Sequence, residues 1–167
     1  MVNRFFLFLL LFFIIPNNKL LSAVSIGSFG KWEAFTEKEN GQLVCFIGSS
    51  PIKMQGKYKI RGKTYILITH RPHVGENNVV MVAAGYNFKK DSKAKIIISG
   101  VTTELFTEYK NAFAIDEKTD KKLIQLMIKG SSMTFKGTSS RGTLTNDTYS
   151  LRGFTAAYRL INKKCKL

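Results

Sequence analysis

A small, mainly β domain carrying two helices is the fold class this sequence predicts. Three observations lead there. Short runs of β-favouring residues recur between clusters rich in Gly, Asn, Asp and Lys, only two stretches have helical periodicity, and an export signal precedes a domain with two cysteines.

The chain opens MVNRFFLFLLLFFIIPNNKLLSAVS. Arg4 supplies a short positive region, and Phe5 to Ile15 is an unbroken apolar run of eleven residues. A bilayer-spanning helix needs ~20 apolar residues, so this run is too short to be one. Pro16, Asn17 and Asn18 end it and small residues follow, which is the pattern of a cleavable signal peptide. Cleavage is placed after Ala23, with Ser25 as the alternative; the rival reading is an uncleaved anchor. A lipoprotein would need a cysteine at the cut, whereas the first cysteine is Cys45. The division is therefore 1–23 signal peptide and 24–167 a single domain, located in the periplasm, in the cell envelope or outside the cell. After cleavage no membrane association is expected.

The chain has 26 basic and 11 acidic residues; losing Arg4 and Lys19 with the signal leaves the domain at +13. Such an excess draws acidic partners. Lysines far outnumber arginines, and the arginine-with-aromatic interleaving of RNA binders is missing, so nucleic acid is not the expected partner. An unidentified protein or an anionic envelope component is. Cys45 and Cys165 are the only cysteines, and an even count in an oxidising compartment predicts a disulfide between them. Neither has the nearby partner thiol of a redox cysteine.

In order along the chain, strands are expected at Trp32 to Thr36 and Leu43 to Ser49, joined by a turn over Glu37 to Gly41. Lys57, Lys59, Arg61 and Lys63 alternate with Tyr58 and Ile60, which reads as a strand with its charges on one solvent face. Tyr65 to Thr69, Val79 to Ala84, Ala94 to Ser99 and Glu104 to Thr107 continue the series. Ser132 to Thr138 and Thr143 to Tyr149 flank SSRG, a hairpin signal. Asp120 is expected to cap a short helix running to Lys129, with Gly130 as the stop. Leu151, Phe154, Tyr158, Ile161 and Cys165 fall at spacings of 3, 4, 3 and 4, one apolar stripe along a C-terminal amphipathic helix. That stripe carries Cys165 to the buried side, where it can reach the strand of Cys45.

Candidate chemistry is sparse. His70 and His73 in THRPH lack the further ligands of a zinc site, so no metal is expected. GTSSRG (Gly137 to Gly142) has one residue too many for a nucleophile elbow and lies in a hairpin. Asp116, Glu117 and Asp120 flank a helix start, where they complement its dipole. Paired-carboxylate chemistry would need two acids held across a cleft. The match of Asn146-Asp147-Thr148 to a glycosylation acceptor carries little in a bacterial-type exported protein. No catalytic residue and no cofactor are assigned. Thr69, His70, Arg71 and Pro72, with Arg141 and Gly142, are the candidate binding residues, because they sit at strand ends or turns where a rigid scaffold presents contacts. The competing reading is turn chemistry, in which Pro72 stops a strand and Gly142 shapes a hairpin.

Several stretches taken together resemble the invasion associated locus B family, exported proteins of alphaproteobacteria. They are WEAF from Trp32, LVCFIGSSP from Leu43, YILITHRP from Tyr65, AAGYNF from Ala83, LIQLMIKGSSMTFKGTSSRGT from Leu123 and DTYSLRGFTAAYRLINKKC from Asp147. In series, with both cysteines in place, they cover nearly the whole domain. The resemblance implies an immunoglobulin-like antiparallel β-sandwich with a short helix and a C-terminal amphipathic helix. It also implies an envelope location and, in some relatives, a part in invading host cells. The function expected is a non-enzymatic binding or interaction protein. An envelope enzyme such as a cell-wall hydrolase, or a structural or chaperone-like envelope protein, is the alternative.

Overall fold

A computed structural model describes residues 23–167, so the expected signal segment lies, but for Ala23, outside the described residues. Eleven strands and two α-helices follow one another: β1 (Val24–Phe29), β2 (Trp32–Glu39), β3 (Gln42–Ser49), β4 (Lys53–Gly56), β5 (Tyr65–Arg71), β6 (Glu76–Ala83), β7 (Ala94–Ile98), β8 (Val101–Glu108), β9 (Asn111–Phe113), α1 (Glu117–Lys129), β10 (Ser132–Thr138), β11 (Leu144–Ser150) and α2 (Phe154–Cys165). A 3₁₀ turn, Pro72–Val74, joins β5 to β6. No helix among the described residues is long and apolar enough to cross a membrane.

All strand pairs are antiparallel, in the order β1-β2-β3-β5-β6-β9-β8-β7-β10-β11-β4. β8 is the seam. Its first half pairs with β7 and its second half with β9, so the two layers of the sandwich are continuous through it. Their inner faces meet in one core, with Trp32, Ile47, Ile66 and Ile68 from one layer and Ile96, Phe135 and Tyr149 from the other. The mainly β, antiparallel fold with a C-terminal helix is the one expected.

Local chemistry explains where the elements begin and end. Asn40 and Gly41 both take positive φ, 50° and 80°, so β2 and β3 are joined by a two-residue turn. That geometry suits the Asn-Gly pair and the sheet's twist. The strands consequently run farther into the expected Glu37–Gly41 turn. The edge strand β1 was not foreseen: its Gly and Ser content is low in β-propensity, and packing of Ile26 and Phe29 against the core compensates. α1 starts earlier than expected, because Asp116 rather than Asp120 caps it, accepting from Thr119 N–H at 2.7 Å. Asp120 is instead buried, and its Oδ1 accepts the Val80 N–H at 2.8 Å, fastening α1 to β6.

α2 has the predicted stripe. Phe154, Ala157, Ile161 and Cys165 are buried, and the Phe154 ring meets Trp32 edge-on at 4.9 Å between centroids. The helix enters through Gly153 (φ 94°), where a Cβ would lie 1.9 Å from the Phe29 carbonyl oxygen. Only glycine fits that approach. At the far end Cys165 is bonded to Cys45 of β3, the disulfide expected from the sequence.

Candidate functional site

Thr69, His70 and Arg71 end β5, and Pro72 follows as the first residue of the exposed 3₁₀ turn. His70 is fully buried. Its Nδ1 accepts the Asn78 backbone N–H at 3.0 Å and its Nε2 lies 2.9 Å from Asn162 Oδ1. An Nδ1 that accepts cannot carry a proton, so the ring is neutral and Nε2–H donates to α2. Burial holds its pKa below the usual histidine value, against the opposing pull of Asn162. The Tyr158 hydroxyl donates to Asn78 Oδ1, tying the helix to β6 as well. Arg71 bonds Glu39 at 3.0 Å and Glu76 at 3.4 Å. Thr69 is buried, and Pro72 opens the 3₁₀ turn. The polar heads of His70 and Arg71 are thus engaged within the fold. No group of three or more His, Cys, Asp or Glu among the described residues is arranged to hold a metal.

Arg141 and Gly142 are at the other end. Tyr65, at the opposite end of β5, pairs with Ala83, and the following Ala84 and Gly85 meet the loop that precedes β5. His70 lies five residue steps along the strand from Tyr65, roughly 16 Å at the usual rise. The two groups of candidate residues are therefore not brought together.

The segment expected as a charged strand, Lys57 to Lys63, is irregular and wraps around its own arginine, Arg61. The Arg61 side chain is 3% exposed. Its Nη1 and Nη2 donate to the two oxygens of Asp147 at 2.6 and 2.5 Å, and its Nε donates to the Ala84 carbonyl at 2.8 Å. Tyr58 and Tyr86 lie over the guanidinium at 5.4 and 5.1 Å. This bidentate, stacked setting uses all that distinguishes arginine from lysine. Asp147 faces inward from β11, fully buried, so each charge meets the desolvation cost of the other. The loop closes through Gly62 N–H to Gly85 O at 2.9 Å, and a Cβ on Gly85 would lie 2.5 Å from the Gly62 oxygen. Alternation failed as a signal because Arg61, which it put on the solvent face, is inside, while Ile60, which it put inside, is 93% exposed.

Between this loop and the β10–β11 turn lies a cleft of about 610 Å³. Lys57, Lys59, Lys110 and Arg141 line it, and none of the four is in an ion pair among the described residues. No carboxylate is among the lining residues; Asn87, Ser139, Ser140 and Thr143 supply its polar groups. Gly142, at φ 80°, shapes the turn that holds Arg141 over the cleft, and Ser139 Oγ accepts the Thr143 N–H within it. Of the six candidate binding residues expected from the sequence, Arg141 alone lines the cleft. Lys57 and Lys59 were visible only as members of a charge pattern, and Lys110 gave no signal.

The invasion associated locus B (IalB) protein family model matches residues 32–162. Among solved structures, the chain is similar to the crystal structure of invasion associated protein B from Bartonella henselae. The TM-score is 0.60 at 12% identity, covering 86% of this chain and 97% of that one. At that identity the likeness speaks for the fold. No curated protein sequence matches significantly. With the family model spanning most of the chain, from β2 into α2, the protein belongs to the invasion associated locus B family.

Proposed function

We propose that this chain is an exported, non-enzymatic binding protein of the periplasm or cell envelope that captures an anionic partner in the basic cleft, and that it contributes to host-cell invasion as the family name indicates. The observation behind this reading is the set of four unpaired cations around a lining without a carboxylate. Like charges held close together repel, so a partner that neutralises them gains what the free protein lacks. The Arg61–Asp147 pair makes the concavity rigid, which lowers the ordering cost of binding. The cleft has no carboxylate or histidine in its lining, and the buried Asp147 beneath it is taken up by Arg61, which favours binding over acid–base chemistry as its use.

Crosslinking in intact cells followed by mass spectrometry tests this. The wild-type chain is compared with Lys59→Glu/Arg141→Glu, and with Arg71→Gln as a control at the opposite end. Loss of the crosslinked partner in the double variant alone supports the cleft. Unchanged capture by the double variant removes it.

A further inference from the structure

The two most exposed large apolar or aromatic side chains among the described residues stand at this same cleft. Ile60, 93% exposed, lines it from the loop, and Tyr109 is 81% exposed beside the lining Lys110. No described residue covers them. Tyr109 is also held at φ 49°, a left-handed conformation that non-glycine residues rarely adopt, in the tight turn between β8 and β9. Apolar tips interleaved with lysines are unfavourable in water, and each tip sits within a residue or two of a group lining the cleft.

We propose that this end of the sandwich docks on an anionic phospholipid surface, with Ile60 and Tyr109 entering the headgroup layer while Lys57, Lys59, Lys110 and Arg141 contact lipid phosphates. The inference rests on the cleft being the binding site and names its partner. It departs from the expectation that the chain meets a membrane only through its signal peptide, before cleavage.

Each element of the surface suits a bilayer interface. Tyrosine is favoured at the headgroup level, where one end of the ring is wet and the other apolar. Lysines near an anionic surface add attraction that salt weakens. A cleft of about 610 Å³ is within the range that takes a small molecule or one headgroup. A soluble polyanion would use the cations and leave the apolar tips in water. Single-stranded nucleic acid stacks successive bases on several free aromatic faces, whereas Tyr58 and Tyr86 are both occupied by Arg61 and Tyr109 alone is left free here. A second copy of the chain would set cations against cations.

Co-sedimentation of the purified, disulfide-intact domain with vesicles tests the proposal. The domain is expected to bind vesicles enriched in phosphatidylglycerol and not pure phosphatidylcholine. Lys59→Gln and Arg141→Gln should each lower the affinity about fivefold. Ile60→Ser combined with Tyr109→Ser should lower it about tenfold. An Ile60→Trp variant should shift its emission to the blue on phosphatidylglycerol vesicles, and an unmoved spectrum would overturn insertion. Capture of dextran sulfate or poly-dT that depends on Lys59 and Arg141, with no vesicle binding, overturns the lipid proposal and leaves the anion-binding reading standing. Failure to bind any of these anions overturns both.

Discussion

The two ends of β5 handle charge in opposite ways. At the His70 end, polar groups look inward. His70 is shared between Asn78 and Asn162, Arg71 between Glu39 and Glu76, and the disulfide ties the last turn of α2 to β3. At the Arg61 end, one pair is buried as completely as any in the molecule, and the cations around it have no counter-charge among the described residues. The first end spends its polar groups on cohesion; the second keeps a rigid floor and leaves its rim unsatisfied. Net charge alone would not have separated them, since Arg71 and Arg141 each carry one positive charge. Pairing separates them.

The largest effect should come from opening the closed end. Replacing Cys45 and Cys165 with serine removes a crosslink over 120 residues, and loop-closure entropy puts the loss at ~4–5 kcal/mol. Urea unfolding measures it, and reduction of the wild-type protein should reproduce it. At the other end Asp147→Ala strands the Arg61 guanidinium in the interior and should cost about 3–5 kcal/mol. It should also release the loop over the cleft and abolish partner capture, so it breaks fold and site together. A loss of stability with binding intact would show that the buried pair does not shape the site.

His70→Leu keeps bulk but leaves the Asn78 N–H and the Asn162 side chain without a partner, for a loss of about 1–3 kcal/mol. Its pKa is lowered in the folded state, so the unfolded chain binds the proton first. The contribution of neutral His70 is therefore present above the unfolded value of ~6.5 and is lost as pH falls below it. Asp120 acts in the opposite direction. Burial raises its pKa to about 6 from 3.8, the Val80 N–H only partly offsetting this. The native state then takes up a proton before the unfolded one, and stability from this group grows as pH falls from about 6 to about 4. Asp120→Asn should flatten that part of the profile in urea midpoints measured across pH; an unchanged slope would assign it elsewhere.

The smallest effect on stability sharpens the contrast most. Lys59→Gln/Arg141→Gln touches no partner within the fold, so its unfolding midpoint should stay within about 0.5 kcal/mol of wild type. Partner capture should nevertheless fall. A marked loss of stability would mean that these cations have structural partners after all.

Much of the closed end was legible in the sequence. Its helix announces itself through a 3.6-residue stripe, and the stripe ends on a cysteine whose only possible mate is Cys45. The hairpin around SSRG was equally plain. The cleft was not, and Arg61 shows why. Lys-Tyr-Lys-Ile-Arg-Gly-Lys alternates as an exposed strand would, but Arg61 goes inside because Asp147, 86 residues away, receives it. Asp120 was misread for a related reason: Asp116 and Asp120 are both good caps by composition, and the Val80 N–H takes one of them out of the running. β1 escaped notice because its support comes from the packing of Ile26 and Phe29 on the core rather than from local β-propensity.

The mainly β class, the C-terminal helix with its buried face and the pairing of the two cysteines were already written in the chain. They follow from periodicity, turn chemistry and an even cysteine count, which act over a few residues or need no geometry. Which cations are spent and which are free was settled by the folded molecule. An ion pair is made by contact in space, and in this fold the contact that seats Arg61 and leaves Lys57, Lys59, Lys110 and Arg141 around an open cleft joins segments that the chain keeps far apart.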